Sequence, residues 1–245
     1  MLKNTEFPDI MKKMLHLLSE AYDYPVDVEF TVNFRNDSTF FFNLVQCRPL
    51  QTRGLGKNIE IPKLDSKEEC LFYSEGNFMG GNLRIPVDKI IFVDIHEYLE
   101  MPEQEKYQVA RYIGKLNQIL KNQNVLLMGP GRWGTTTPSL GVPVHFTEIS
   151  HMAAICEISY QDEGLMPELS YGSHFFQDLV ESGVFYIALF KEQKNVVFHE
   201  EMLKKENLLA NYISEAEDYK KCIQVLDTKG MELYSDISCQ RVFCR

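Results

Sequence analysis

Apolar residues at Ile10, Met11, Met14, Leu17 and Leu18 recur at helical spacing and predict an amphipathic helix over residues 8–20 with one buried stripe. Pro25 closes that region. Two runs rich in β-branched and aromatic residues follow, Val26–Phe34 and Thr39–Arg48, around the turn-forming stretch Arg35-Asn36-Asp37-Ser38, which predicts a hairpin. Residues 51–67 hold Gly54, Gly56 and Pro62 among polar residues and read as a linker. Beyond it, Glu69–Ser74, Lys89–Ile95, Val125–Met128, Val142–Phe146, Ala153–Ser159, Val184–Phe190 and Asn195–His199 read as strands. Pro102–Asn122 reads as a long helix, with proline in its first turn and Glu103 and Glu105 at the positive end of its dipole. Ser173–Ser182, with Ser173 as N-cap, and Glu200–Ser214 read as shorter helices. The tail, Cys222–Arg245, reads as two strands around Lys229-Gly230. Mixed strands and helices without a repeat place the chain in the α/β or α+β class, with a small piece at 1–50 and a larger α/β domain at 68–245.

Composition narrows the function classes. The 245 residues carry a formal net charge of −10, which argues against broad nucleic-acid binding, since phosphate backbones need a basic footprint. No apolar run approaches the roughly 18 residues of a membrane span, and the charged N-terminal stretch is not a signal peptide. Six cysteines without CxxC spacing fit reduced thiols in the cytoplasm rather than a disulfide framework or a zinc site. Cys47 and Cys156 fall in strands and read as small core residues, and His96, His145 and His199 have no metal spacing with any partner.

The hairpin carries the first chemical signal. Gln46 and Arg48 stand two apart on one strand and share a face. If paired positions sum to 75, Glu29 lies opposite Gln46 and Asp27 opposite Arg48. That clusters a carboxylate and an amide oxygen suited to Mg²⁺ with a guanidinium suited to phosphate. If they sum to 74, Glu29 points away from Gln46 unless a bulge restores it. The competing reading is a solvent-facing strand pair with a cross-strand ion pair.

A second signal is Gly129-Pro130-Gly131-Arg132-Trp133-Gly134, directly after an apolar strand. Its glycines expose backbone N–H groups that can form an anion nest, with Arg132 as the charge. The spacing matches neither nucleotide-binding glycine pattern, and a tight turn with Arg132 and Trp133 packed on a neighbour is the other reading. Arg132 is expected to reach toward Ser170–His174, or else to pair with Glu148 or Glu157. His174 opens a helix, where it contacts an anion or packs beside Phe175 and Phe176.

Val28-Glu29-Phe30 and Val45-Gln46-Cys47-Arg48-Pro49 resemble the I-E-F/W and L-Q-x-R-P strands that close the ATP-grasp domain of phosphoenolpyruvate synthases and pyruvate phosphate dikinases. The resemblance in this motif covers residues 8–50. It implies a C-terminal piece of an ATP-grasp lobe that holds ATP and Mg²⁺. Glu29 and Gln46 would stand by the metal and triphosphate, and Arg48 on phosphate. It further implies phosphoryl transfer involving pyruvate or phosphoenolpyruvate (PEP). The lysine-bearing, Gly-rich lobe of such a site is not in this sequence, so the chain reads as a fragment that is inactive without that N-terminal lobe. The stretches GPGRWG…LGVPVHFTEIS and SYGSHFFQDLVESGVFYIALF resemble the C-terminal region of proteins with a PEP/pyruvate-binding domain. Ser150-His151-Met152-Ala153-Ala154-Ile155 resembles the phosphohistidine motif S/T-x-H-A-A-I, but Met152 is inserted and the flanking Gly-Gly and Arg are missing. His151 therefore reads as a hydrogen-bonded structural histidine, with a phosphohistidine as the lesser reading. The alternative to an enzyme fragment is a non-catalytic regulatory or interaction module with a small-anion site around Arg132 and His174.

Overall fold

The computed structural model describes residues 5–23, 26–35, 39–49, 59–64, 66–159, 170 and 174–245. The chain is a mixed α/β protein that divides into two units, Met1–Gln51 and Thr52–Arg245.

The first unit is one helix and one hairpin. Helix α1, Phe7–Tyr22, starts with Pro8 in its first turn and ends where Asp23 turns left-handed. Strands β1, Val26–Phe34, and β2, Phe40–Pro49, pair antiparallel. Phe7 meets the rings of Phe30, Phe34, Phe40 and Phe42 at centroid distances of 5.7–6.5 Å. The expected stripe of α1 is present, but no side chain of the helix is buried and Leu17 stays 64% exposed.

The second unit holds two sheets. The described strands are β3 (Phe72–Glu75), β4 (Phe78–Met79), β5 (Leu83–Pro86), β6 (Lys89–Val93), β7 (Val125–Pro130), β8 (Ala154–Ser159), β9 (Phe185–Phe190), β10 (Val196–Phe198), β11 (Ile223–Asp227), β12 (Glu232–Asp236) and β13 (Arg241–Cys244). A six-stranded sheet runs β11-β6-β7-β8-β9-β4, with β6 to β9 parallel and both flanking strands antiparallel. A five-stranded antiparallel sheet runs β10-β3-β13-β12-β5.

Both faces of the parallel strands are apolar, and alternation sorts them into two cores. Ile91, Leu127, Ile155 and Tyr186 join one core with helices α3 (Glu103–Ile119) and α4 (His174–Glu181). Phe92, Leu126, Cys156 and Ile187 join the other, with Phe72, Leu83, Leu233 and Val242 of the second sheet. The parallel strands stand in sequence order. Right-handed crossovers of such an order return on one face, so the strand order never reverses and leaves no switch-point crevice.

Several boundaries differ from those the pattern suggests, each for a local reason. Of the expected linker 51–67, residues 51–58 and 65 lie outside the described residues. Ile59 packs on the core between the sheets, and Ile61 and Leu64 cover the outer face around Tyr73 and Phe243. Ser66 caps a 3-10 turn at Lys67–Glu69, so the strand starts at Phe72 rather than Glu69. The strand from Lys89 ends at Val93 because the Asp94 carboxylate accepts from Glu97 N and starts α2, Ile95–Glu100. Val142–Phe146 is no strand: Pro143 interrupts it, and a 3-10 turn spans Phe146–Glu148.

The expected helix Glu200–Ser214 is broken into a 3-10 turn at Glu200–Leu203, a single turn α5 at Leu209–Tyr212 and a 3-10 turn at Ser214–Tyr219. Asn207 is the cause. Its Oδ1 accepts from Leu209 N and Val225 N, and its Nδ2 donates to Lys220 O and Ile223 O. By accepting from Leu209 N the side chain competes with the helix ladder, and its bonds to Lys220, Ile223 and Val225 hold it against the segment leading into β11. The tail forms three strands, not two, and β11 and β12 on either side of Lys229-Gly230 belong to different sheets.

The connection from β12 to β13 is pinned by Asp236. Its carboxylate accepts from Ser238 N at 3.0 Å, Ser238 Oγ at 2.5 Å, Cys239 Sγ at 2.8 Å and Arg241 Nη2 at 3.2 Å. Burial alone would raise its pKa, but the bonds from Cys239 and Ser238 outweigh it and hold the group at about 2 against an ordinary 3.8. A depressed carboxylate stabilises the fold above its unfolded pKa and loses that contribution as pH falls through the folded one. Asp236→Asn is therefore expected to cost about 2 kcal/mol at neutral pH. In urea titrations the gap to wild type should close between pH 3.8 and about 2; a gap that persists below that range means the loss is not electrostatic.

Candidate functional site

In the hairpin, the register changes part-way. Near the turn, Phe34 pairs with Phe40 and Phe30 with Leu44, so partners sum to 74. A bulge between Glu29 and Phe30 leaves Val45 as the extra residue, and from there Glu29 pairs with Gln46 and Asp27 with Arg48, summing to 75. Directly opposed residues share a face, so Asp27, Glu29, Gln46 and Arg48 lie on one face. Phe30, Val32, Phe34, Phe40, Phe42 and Leu44 lie on the other. Arg48 Nε donates to Asp27 Oδ2 at 3.2 Å across the strands, with both side chains partly exposed. The polar face thus offers one carboxylate and one amide beside a carboxylate–guanidinium pair. Among the described residues there is no cluster of three or more metal-ligating carboxylates, histidines or cysteines.

The Gly-rich loop of the second unit is built around Trp133 and Glu157. Leaving β7, Gly131 N donates to Ile158 O, and Arg132 N donates to Leu140 O. Gly131 has φ +61°, and a Cβ there would stand 2.4 Å from Leu140 O. A Cβ on Gly141, which bridges to Gly131, would stand 2.0 Å from Arg132 O. Only glycine permits that approach. Trp133 is fully buried, and its backbone N donates to Glu157 Oε1 at 2.9 Å. Glu157, itself buried, also accepts from Ser170 Oγ at 2.5 Å, Ser170 N at 3.2 Å and Tyr186 OH at 2.5 Å. Burial pushes its carboxyl above the ordinary range, and the bonds from Ser170, Tyr186 and Trp133 offset part of that.

No family model, no curated protein and no solved structure matches this chain.

Most of the segment Ser170–His174, toward which Arg132 is expected to reach, lies outside the described residues. Trp133 and Glu157 join the loop to Ser170, through Ser170 Oγ to Trp133 O at 3.4 Å and the Glu157 bonds. Residues 171–173 and the side chain of His174 lie outside the described residues. Arg132 takes neither proposed carboxylate. Glu157 is saturated, and Glu148 accepts from Arg111 Nη2 at 2.8 Å and His145 N at 2.8 Å. His151 sits in a turn before β8, its backbone N bonded to Asn117 Oδ1 at 2.9 Å. Because β7 and β8 run parallel, that turn is at the opposite end of the strands from the Gly-rich loop.

Among the described residues, one of the clefts that sequence reading missed adjoins the Gly-rich loop. A cavity of about 460 Å³ lies between α3 and the segment after the loop, lined by Gln104, Tyr107, Arg111, Thr135, Thr136 and His145. The polar stripe Gln104, Gln108 and Arg111 along α3 was its signal. Its one cation is committed, since Arg111 also donates to Pro143 O at 3.2 Å. The cleft is therefore a hydrogen-bonding surface rather than a charged one.

Glu157→Gln is expected to destabilise the second unit by about 1–3 kcal/mol, because an amide NH₂ must face one of the two backbone N–H donors. Differential scanning calorimetry should register a fall of several degrees, with Tyr186→Phe costing less. An unchanged melting temperature would show that the four bonds are not needed.

Proposed function

We propose that residues 1–50 supply the metal–triphosphate edge of an ATP-dependent phosphotransferase acting on pyruvate or phosphoenolpyruvate, working in the cytoplasm. The observation that carries this reading is the bulge at Val45, which sets Glu29 opposite Gln46 while the aromatic residues keep the other face. An ordinary amphipathic hairpin needs no such phase change. It also fits that the matching positions are those by which the family holds ATP and Mg²⁺.

Glu29 and Gln46 would each give the metal one oxygen, as Mg²⁺ takes few protein ligands and fills its octahedron with water and phosphate. When bound, Mg²⁺ neutralises charge on the phosphate chain, and phosphoryl transfer rests on that and on positioning. Arg48 would exchange or share its Asp27 partner for a phosphate oxygen, which a guanidinium fork does readily. Asp27 then holds Arg48 in place while no nucleotide is present. One hairpin gives one wall of such a site, so the chain by itself is a weak ligand for MgATP and a poor catalyst. A second, Gly-rich lobe is the partner this reading requires. No helix among the described residues is long and apolar enough to cross a membrane.

Two measurements test the reading. Mn²⁺ with ATP should broaden the NMR resonances of Glu29 and Gln46 selectively, and Glu29→Gln should abolish the effect. In a coupled assay with ATP, Mg²⁺ and pyruvate, the isolated chain should show no turnover. Absence of selective broadening removes the site, and turnover near a typical enzyme's ~10 per second refutes the single-wall description.

A further inference from the structure

We propose that the outer edge of β1 pairs antiparallel with β1 of a second copy of this chain, so that two hairpins form one four-stranded sheet in the order β2-β1-β1-β2. The pairing uses the backbone of the hairpin and does not rest on the metal site.

A lone two-stranded hairpin is marginal in water, and further strands on an apolar-faced sheet are what make it stable. Here β1 and β2 form a sheet of two, so among the described residues no further strand pairs with either of them. Each therefore presents one edge of backbone N–H and C=O groups. The apolar face is only partly covered. Helix α1 packs on it through Phe7, yet Phe30 and Phe34 stay 40% and 44% exposed and no residue of α1 is buried.

The two edges are not alike. Strand β2 carries the extra residue Val45 and ends on Pro49, which has no N–H to give. Bulges and prolines are devices that keep an edge from being paired. Strand β1 holds neither. Its nine residues alternate strictly, with Val26, Val28, Phe30, Val32 and Phe34 on one face and Asp27, Glu29, Thr31 and Asn33 on the other.

That alternation is complementary to itself. A two-fold axis at Phe30 opposes residues whose numbers sum to 60. On the apolar side Val26 then faces Phe34, Val28 faces Val32, and Phe30 faces its own copy. On the polar side Asp27 faces Asn33 and Glu29 faces Thr31. Every residue of the strand is paired, and no carboxylate meets another. Other registers do worse. Odd sums set apolar residues against polar ones. A sum of 58 opposes Glu29 to Glu29 and a sum of 56 opposes Asp27 to Glu29, and like charges directly opposite each other destabilise a strand pair. Larger even sums leave the start of β1 without a strand partner. The two-fold contact closes on itself, since the edges left outside are those of β2. It joins the two apolar faces into one layer and keeps Asp27, Glu29, Gln46 and Arg48 on the opposite face.

Sedimentation equilibrium of the full chain over a concentration series tests the pairing, and a dimer is the expected species. Thr31→Glu sets a carboxylate against Glu29 twice across the axis and should weaken the dimer about tenfold, whereas Thr31→Lys sets an ammonium there and should tighten it. Both variants lose the same bond from Asn43 Nδ2 to Thr31 Oγ1, so damage to the hairpin itself would move them alike. Glu29→Gln, which removes the metal ligand, should leave the dimer intact. In hydrogen exchange, amides of β1 should become more protected as concentration rises. The proposal is overturned if the chain stays monomeric at millimolar concentration, or if the two Thr31 variants shift association the same way or not at all. Amides of β1 protected equally at every concentration would also overturn it, since another part of the chain would then cover that edge.

Discussion

The carboxylate of Glu157 sits in the middle of the second unit with donors on every side. Taking a carboxylate out of water is costly, and only a full set of hydrogen bonds makes it tolerable. Trp133 N, Ser170 N, Ser170 Oγ and Tyr186 OH provide that set from three separate segments. One side chain on β8 therefore fixes the exit of β7, the position of Ser170 and the face of β9. The tight pair Gly131 and Gly141 then has only one path open, and Tyr98 OH, donating to Gly141 O at 2.8 Å, closes it from α2.

That node decides how the Gly-rich loop can be used. The loop spends its backbone on structure: Gly131, Arg132, Trp133 and Gly134 all donate their N–H groups to partners within the protein. It is therefore not a nest of free amides. What it leaves over is a side chain, Arg132, just past the carboxyl end of β7 in a sheet whose parallel strands run in one unbroken order. A doubly wound sheet opens a crevice between neighbouring loops where its order reverses; this one does not.

Much of the layout was legible from the chain. Periodicity located α1, α3, the hairpin and the buried strands β7, β8 and β9, because each is long or strongly patterned. The failures have specific causes. Glu200–Ser214 has helical spacing, but Asn207 takes Leu209 N and ties its own side chain to backbone groups of Lys220, Ile223 and Val225, and propensity carries no trace of that. Lys229-Gly230 looks like a hairpin turn, yet β11 and β12 join different sheets, and partner choice is not written in a strand's own alternation. In the site, Glu29, Gln46 and Arg48 could be grouped by arithmetic only up to an unknown phase, and the bulge at Val45 has no signature in residue type. Attention fell on Arg132 for its charge and missed that neighbouring Trp133 anchors the loop.

Val45 also makes β2 tolerant of a length change at one point and intolerant elsewhere. On its turn side every second residue must face the aromatic layer; on its open side every second residue must face the polar cluster. Losing any one residue between Phe40 and Leu44 puts part of the aromatic set out of phase, unless the bulge migrates to absorb it. Losing Val45 alone makes the ladder continuous and leaves Glu29 opposite Gln46 and Phe30 opposite Leu44. The hairpin thus has a built-in expansion joint, a residue 64% exposed through which strand length and side-chain facing are decoupled.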